Sequence, residues 1–99
     1  MKTNWLSQLG TCTPFKKLHT LILTKRHCSN IVETTAEERE ALHQLAMICK
    51  QDIQSLDTTV AGFNYGSNVF AAAGQKVFHT HVHLIPRRAG DIAPPPASQ

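Results

Sequence analysis

The sequence predicts an α+β fold in which an antiparallel sheet carries one main amphipathic helix. Two observations lead to this prediction. One long segment has apolar residues at helical spacing, and three shorter segments are apolar or alternate with a period of two. They follow one another as strand, helix, strand, loop and strand, which is typical of α+β folds. At 99 residues we expect a single domain, residues 1–99, that gains further apolar burial from a dimer interface.

The first predicted strand is His19–Thr24, a β-branched and apolar segment that ends at a basic cluster. A strand weakened by a glycine is predicted over 62–70. The clearest strand of the chain is predicted over 77–85. Residues 1–17 have no clear periodicity, and we expect irregular structure or one short element there. The proline-rich tail 92–99 should be extended and poorly packed.

The predicted helix starts at a capping box formed by Thr34 and Glu37. The helix is predicted to run for about five turns, with an apolar face that extends from Leu42 to Leu56. Ala41 and Ile48 widen this face. We therefore expect the helix to contact both the sheet and a second protein molecule.

Composition limits the classes of partner. The formal net charge of +3 suits an anionic ligand such as a phosphate ester, but it is too small to indicate specific nucleic-acid binding. The three cysteines form no Cys-x-x-Cys pair, which fits a reducing compartment, so we expect a cytoplasmic protein. No apolar stretch approaches about 18 residues, and we therefore expect no contact with a membrane.

Three histidines in the last predicted strand are the main candidates for functional residues. His79, His81 and His83 stand at alternate positions, so they share one face of the strand, about 6.6 Å apart at Cα. The other face carries the apolar residues Phe78, Val82 and Leu84. We expect the helix to pack against this face. The histidine face is then left open to a ligand.

An imidazole that is partly neutral at pH 7 can act as a nucleophile, and flanking imidazoles can stabilise a phosphate. Such a scheme needs no metal and no cofactor. Zinc binding by the same His-x-His strand is the main alternative. Against it, no acidic residue lies between Asp57 and Asp91. A purely structural ladder of histidines is weaker, because neighbouring imidazoles repel once protonated and buried ones need partners.

These residues resemble the histidine-triad (HIT) family. Its motif, His-x-His-x-His followed by two apolar residues, matches 79–85, and the preceding 73–78 look like the family's Gly-Gln-Ser/Thr-Val run. The segment 19–27 is similar to the family's upstream strand, and Gly62-Phe63-Asn64 together with Asn68 fits the strand between. The resemblance extends from about residue 14 to residue 91.

The resemblance implies a homodimeric, nucleotide-binding hydrolase or transferase that cleaves at the α-phosphorus. The substrate would be a nucleoside phosphoramidate or a dinucleoside polyphosphate. His81 would form a nucleotidyl-histidine that water then resolves, His83 would bind the α-phosphate, and His79 would orient or relay protons. Further contacts to phosphate or leaving group would come from Asn68 and Gln75, and Gly74 would leave room for the backbone to approach the ligand.

Two features depart from the family pattern. Lys76 replaces a Ser or Thr, and either contacts phosphate as a longer point charge or lies solvated on the surface. Family members normally begin with an additional strand and helix ahead of residue 14, including an acidic residue for the ribose, whereas the segment 1–13 contains no Asp or Glu. This atypical N-terminal segment favours a second hypothesis, a binding module with little turnover. A metal-binding protein is the third.

The strand around Phe63–Val69 is the predicted site of the homodimer. Unpaired strand edges invite pairing with another copy. One side of this strand is largely apolar, and the other carries Asn68. The helix flank at Ala41 and Ile48 would lie against its symmetry mate, because a two-fold contact is self-complementary.

Overall fold

The computed structural model describes residues 4–16 and 18–91. In this part of the chain, two helices and four strands lie in the order α1 (Asn4–Leu9), β1 (Gly10–Lys16), β2 (His19–Thr24), α2 (Ala36–Leu56), β3 (Val60–Gly66) and β4 (His81–Arg88). The strands form one antiparallel sheet in the order β1-β2-β4-β3. The predicted α+β class, with one main helix on an antiparallel sheet, is confirmed.

The N-terminal segment is more regular than its sequence predicts. Residues expected to be irregular, or to hold one short element, form both α1 and the edge strand β1. Strand β1 forms because it pairs with the edge of β2, beginning with Gly10 opposite Thr24. A Cβ on Gly10 would lie 2.8 Å from the carbonyl oxygen of Leu23, so the close pairing needs glycine. The proline-rich tail predicted over 92–99 lies outside the described residues.

Helix α2 begins one residue later than predicted. Thr35 is the N-cap, and its side chain accepts a hydrogen bond from the backbone N–H of Glu38. Glu38 in turn accepts from the N–H of Thr35. The capping box at Thr34 and Glu37 was therefore wrong by one position. Arg26 explains the register, because it donates two 2.8 Å hydrogen bonds to the buried Glu38 carboxylate.

The core lies between α2 and one face of the sheet. Seven buried residues form it: Ile22, Leu42, Ala46, Ile53, Val60, Val82 and Leu84. Ala41 is also fully buried, so it belongs to the interior of one chain. The prediction that it lies on an exposed flank was wrong. At the far end, Asp57 forms an ion pair with Arg88 and ties the end of α2 to the end of β4.

Both later strands differ in length from their predictions. Strand β4 starts at His81 because residues 77–79 form a bend, and Phe78 is 53% exposed outside the core. Its predicted place on the helix-facing side was therefore wrong. Strand β3 ends at Gly66 instead of reaching Phe70, and it forms an edge of the sheet. No helix within the described ranges is long and apolar enough to cross a membrane.

Candidate active site

The face of the sheet opposite α2 carries the histidines. Alternation along β4 buries Val82 and Leu84 against the helix and leaves His81 and His83 half-buried on the other side. Their partners on β2, Leu23 opposite His81 and Leu21 opposite His83, lie on the same open face. The predicted sharing of one face is therefore realised for these two histidines within β4. His79 precedes the strand.

His83 lies between two other imidazole rings. Its Nδ1 is 3.2 Å from Nε2 of His19. The rings of His81 and His83 meet edge to face with centroids 5.0 Å apart. Burial lowers the pKa of His83 below its ordinary value, and the neighbouring His81 and His19 lower it further. His83 is therefore favoured as a neutral ring, which can still donate one N–H.

His79 is held by a backbone carbonyl and by a fifth histidine. Its Nε2 lies 2.7 Å from the carbonyl oxygen of Thr24. Because a carbonyl oxygen only accepts, Nε2 of His79 carries a proton. Its Nδ1 lies 3.3 Å from Nδ1 of the exposed His27. The His79 ring is thus fixed from both of its nitrogens.

A single hydrogen bond sets the tautomer of His81. Its Nδ1 lies 2.8 Å from the carbonyl oxygen of His79, so Nδ1 is the donor. In the neutral ring the lone pair is then on Nε2. Ser67 donates to the carbonyl oxygen of His81 at 2.5 Å and holds the start of β4. This arrangement leaves Nε2 of His81 as the ring nitrogen with a free lone pair when the ring is neutral.

A cavity of about 510 Å³ opens beside His83. Strand β3 and the residues after it provide most of the wall, and the lining consists of His19, Asn64, Tyr65, Gly66, Ser67, Asn68, His83 and Ile85. The wall mixes imidazole, amide and hydroxyl groups with apolar surface. Such a lining suits a ligand that has both polar groups and apolar surface.

The other predicted ligand residues lie in different surroundings. Asn68 lines the cavity, and a Cβ on Gly74 would lie 3.3 Å from its Nδ2, so these two predicted residues are brought together. Gly74 also has a φ of 98°, which favours glycine. Lys76 is exposed in the loop before His79.

Gln75 has a clear structural task. Its side chain is 3% exposed, and its Nε2 donates to the carbonyl oxygens of Ser29 and Val77. Its Oε1 accepts from the N–H of Phe70. The amide therefore ties the loop before β4 to the segment after β2. Both of its N–H groups are used there, so the amide does not donate to a ligand in this arrangement.

Two histidines of this site were not among the predicted site residues. His19 and His27 contact His83 and His79, respectively. Period-two alternation places His19 on the same side of β2 as Leu21, whose partner on β4 is His83. The signal was present in the sequence, but only the register between β2 and β4 turns it into a contact. The contact of His27 depends on the conformation of the turn after β2, which composition does not predict.

No group of three or more His, Cys, Asp or Glu side chains among the described residues is arranged to hold a metal ion. Instead, His83 contacts both His19 and His81, and His79 contacts His27. All three cysteines are free thiols. The chemistry available on this face is therefore that of imidazole, amide and hydroxyl groups.

A sheet with a helix on one face and alternating histidines on the other defines a protein of the histidine-triad class. The chain belongs to the HIT domain family, whose model matches residues 5–90. The matched range confirms the resemblance found at the motif and includes α1 and β1. The N-terminal segment from residue 5 therefore lies within the family domain.

Several relatives support this membership. An uncharacterised HIT-like protein of Mycoplasma genitalium is 37% identical over 71 residues, which cover 70% of this chain and 48% of the relative. An adenylylsulfatase of Arabidopsis thaliana is 36% identical over 78 residues, or 79% of this chain and 39% of the relative. The chain thus spans about half the length of the first curated relatives it matches.

Solved structures of the family share the fold. A hypothetical histidine triad nucleotide-binding protein from Sulfolobus tokodaii matches with a TM-score of 0.71 and 31% identity, over 79% of this chain and 52% of that one. A HIT family hydrolase from Clostridium thermocellum matches with a TM-score of 0.68 and 26% identity, over 89% of this chain and 78% of that one.

Proposed function

We propose that this protein is a nucleotide hydrolase or transferase that cleaves at the α-phosphorus through a covalent intermediate on His81. One observation carries the proposal. Nδ1 of His81 donates to the carbonyl oxygen of His79, which leaves the lone pair on Nε2. The family membership and the names of two relatives, a hydrolase and an adenylylsulfatase, support the same class of reaction.

The proposed reaction has two steps at the same phosphorus. In the first, Nε2 of His81 forms a bond to the α-phosphorus, and the bond to the leaving group breaks with its electron pair. The leaving group takes a proton from water as it departs. In the second, water attacks the phosphorus and releases a proton to solvent, the N–P bond breaks with its electron pair returning to Nε2, and the nucleoside monophosphate is released. The imidazole is a suitable carrier, because it is nucleophilic when neutral and leaves easily when protonated.

Three groups would assist these steps. His83 is favoured as a neutral ring that donates an N–H to a phosphate oxygen, and its contact with His19 fixes the ring. His79, held by Thr24 and His27, would orient the backbone carbonyl oxygen that fixes the ring of His81. Asn68 would contact the phosphate from the wall of the cavity that it shares with His83. No step of this scheme uses a metal ion.

A ³¹P NMR time course tests the function directly. The purified protein is supplied separately with adenosine 5′-phosphoramidate, adenylyl sulfate and a dinucleoside polyphosphate, with and without EDTA. We expect adenosine monophosphate from at least one of them, at a rate that EDTA does not change. Nucleotide binding without turnover would favour the binding module. Complete loss with EDTA and recovery with zinc would favour a metal-dependent protein.

We also propose a homodimer that forms along β3. This strand is an edge of the sheet among the described residues. Beside it, an apolar groove of about 430 Å³ lies between β3 and α2, lined by Met47, Phe63 and Tyr65 among others. Met47 and Tyr65 are 45% and 51% exposed. A second copy would pair with the strand edge and cover these side chains.

Light scattering with two matched variants tests the dimer. Met47→Glu places a charge in the groove, and we expect it to shift the mass from two chains to one. Ile48→Glu is the control for the effect of a charge added to α2. Ile48 is the flank residue that the sequence suggested, and it does not line the groove. A monomeric wild type at micromolar concentration would contradict the dimer.

A further inference from the structure

Two of the three cysteines face each other where β1 packs against α2. Cys12 lies opposite the fully buried Ile22 in the pairing of β1 with β2, so its side chain is on the helix side of the sheet. Its Sγ lies 3.9 Å from the carbonyl oxygen of Leu45. Cys49 follows about one turn later in α2, and its thiol is a hydrogen-bond partner of the Cys12 thiol. The proposed reaction gives no role to either thiol.

Strand β1 and helix α2 approach each other closely beside this pair. A Cβ on Gly10 would lie 3.1 Å from Cδ1 of Leu45. Cys12 and Cys49 both pack against the buried core cluster. Within the described residues β1 is an edge strand, paired with β2 alone. Because it is held on one side only, β1 can shift toward the helix by the small distance that an S–S bond of about 2.05 Å requires.

The two thiols differ in their tendency to ionise. The hydrogen bond from Cys12 lowers the pKa of the Cys49 thiol below its ordinary value, although burial and the nearby Asp52 act in the opposite direction. The pKa of the Cys12 thiol is raised, first by its hydrogen bond with Cys49 and then by burial. Both side chains are half-buried, so a small oxidant can reach them. Because the thiolate is the nucleophile in disulfide exchange, Cys49 should react first.

The third cysteine has different surroundings. Cys28 is 7% exposed, and its thiol lies 3.1 Å from the hydroxyl of Thr80 and 3.6 Å from that of Thr24. Its hydrogen-bond partners are therefore hydroxyl groups, whereas Cys12 and Cys49 are partners of each other. Cys28 serves as the matched control for the reactivity of the pair.

We propose that Cys12 and Cys49 form a reversible disulfide, which joins the edge strand β1 to helix α2 and makes the stability of the protein respond to redox conditions. The oxidant is a small-molecule disulfide such as oxidised glutathione. Under reducing conditions the pair remains as two thiols, as it is in this structure.

The disulfide forms in two exchange steps. The thiolate of Cys49 attacks one sulfur of oxidised glutathione, which gives a mixed disulfide on Cys49 and releases one glutathione thiolate. Cys12 then loses its proton and attacks the sulfur of Cys49, which releases the second glutathione. The two protein thiols lose two electrons and two protons in total, and one oxidised glutathione becomes two molecules of glutathione.

The link acts on stability and leaves the histidine face unchanged. It lies on the helix side of the sheet, whereas His81 and His83 lie on the opposite face of β4. A bond between residues 12 and 49 closes a long loop, and it therefore restricts the unfolded chain more than the folded one. The edge strand β1 also gains a covalent attachment to the main helix. Neither effect depends on the proposed reaction at His81.

Disulfide mapping by mass spectrometry tests the link. The folded wild type, Cys12→Ser, Cys49→Ser and Cys28→Ser are incubated with oxidised glutathione and quenched with acid. In the wild type and in Cys28→Ser we expect an intramolecular Cys12–Cys49 bond, with a mass lower by two hydrogen atoms, that dithiothreitol reverses. Cys12→Ser should stop at a glutathione adduct on Cys49. Cys49→Ser should form its adduct on Cys12 at least about 10-fold more slowly, because less thiolate is present.

Several mapping results would overturn the proposal. These are a wild-type disulfide that includes Cys28, a bond that forms only between two chains, or stable glutathione adducts on Cys12 and Cys49 without closure. Equal reaction rates in Cys12→Ser and Cys49→Ser would overturn the proposed order of attack.

Thermal unfolding of the oxidised and reduced protein measures the consequence. Oxidation should raise the Tm of the wild type and of Cys28→Ser by about 10 °C or more, and it should not raise that of Cys12→Ser. Hydrogen–deuterium exchange should show slower exchange of the β1 amides in the oxidised form. An unchanged Tm in a protein with the mapped bond would overturn the redox dependence of stability. Because neither measurement uses a substrate, the result is independent of the proposed function.

Discussion

The two faces of β4 perform different tasks although their residues alternate along the same eight-residue strand. Val82 and Leu84 are nearly fully buried against α2, whereas His81 and His83 lie half-buried on the open face. The apolar face contributes stability through burial, and the histidine face contributes hydrogen-bonded imidazoles. Substitutions on the two faces should therefore separate activity from stability.

The largest effect on activity is expected from His81→Ala. Removal of the nucleophile should lower kcat at least about 1,000-fold, as expected when one member of a catalytic unit is lost. Nucleotide binding should remain detectable, because His83 and Asn68 are unchanged. The free energy of unfolding should stay close to that of the wild type. Turnover close to that of the wild type would remove His81 from its proposed role.

The opposite result is expected from Leu84→Ala on the other face. Leu84 is 3% exposed and belongs to the core. The truncation should lower the free energy of unfolding by about 2–5 kcal/mol, through lost burial and a residual cavity. Activity per folded molecule should be retained below the melting transition. Urea unfolding followed by circular dichroism gives the first quantity, and assays at low temperature give the second.

The segment between β3 and β4 contains a strained residue. Phe70 has a φ of 69° and a ψ of 158°, a region that is almost restricted to glycine, and its side chain is exposed. Phe70→Gly should therefore raise the free energy of unfolding, by up to about 1–3 kcal/mol. Phe70→Ala keeps the Cβ and is the control, for which no gain is expected. Equal stability of the two variants would locate no strain at this position.

The pH dependence of stability should show two separate losses on acidification. His83 has a lowered pKa, so the unfolded chain binds its proton first, and stability falls as the pH drops below about 6.5. The hydrogen bonds from Arg26 lower the pKa of Glu38 to about 2, so its contribution is present above pH 4.5 and is lost as the pH falls towards 2. His83→Asn should weaken the first loss, and Glu38→Gln the second. Thermal melts between pH 8 and pH 2 measure both.

The smallest effect is expected from Lys76→Ser. If Lys76 contacts phosphate, the substitution should lower kcat/KM for a dinucleoside polyphosphate several-fold more than for the phosphoramidate, because the polyphosphate carries more negative charge. The side chain is exposed, so the Coulomb effect is modest. Equal effects on both substrates, or no effect, would assign Lys76 to the solvated surface.

Much of the fold was predictable because its signals are periodic. The helical spacing over Leu42–Leu56 and the alternation over 79–85 gave the main helix and the shared face of the histidines. Strand β1 was not predictable, because its residues have no pattern of their own and pair only when β2 provides an edge. The predicted helix start missed by one residue because Arg26, distant in sequence, selects Glu38.

The candidate site was predictable in part for the same reason. His81 and His83 follow from a period of two within one strand. The partners His19 and His27 depend on strand register and on a turn, which the sequence pattern alone does not determine. Gln75, predicted to contact phosphate or leaving group, uses both of its N–H groups within the loop, which depends on contacts with Ser29 and Val77 that the sequence pattern does not show.

The most direct test of the central claim is to trap the intermediate on His81. Rapid acid-free quenching during turnover of adenosine 5′-phosphoramidate, followed by intact-mass and peptide mass spectrometry, reports the covalent species and its position. We predict a mass increase equal to one adenylyl group, on the peptide that contains His81, and none in His81→Ala. An adenylyl group on another residue, or turnover without any covalent species under conditions that stabilise phosphohistidine, would contradict the claim.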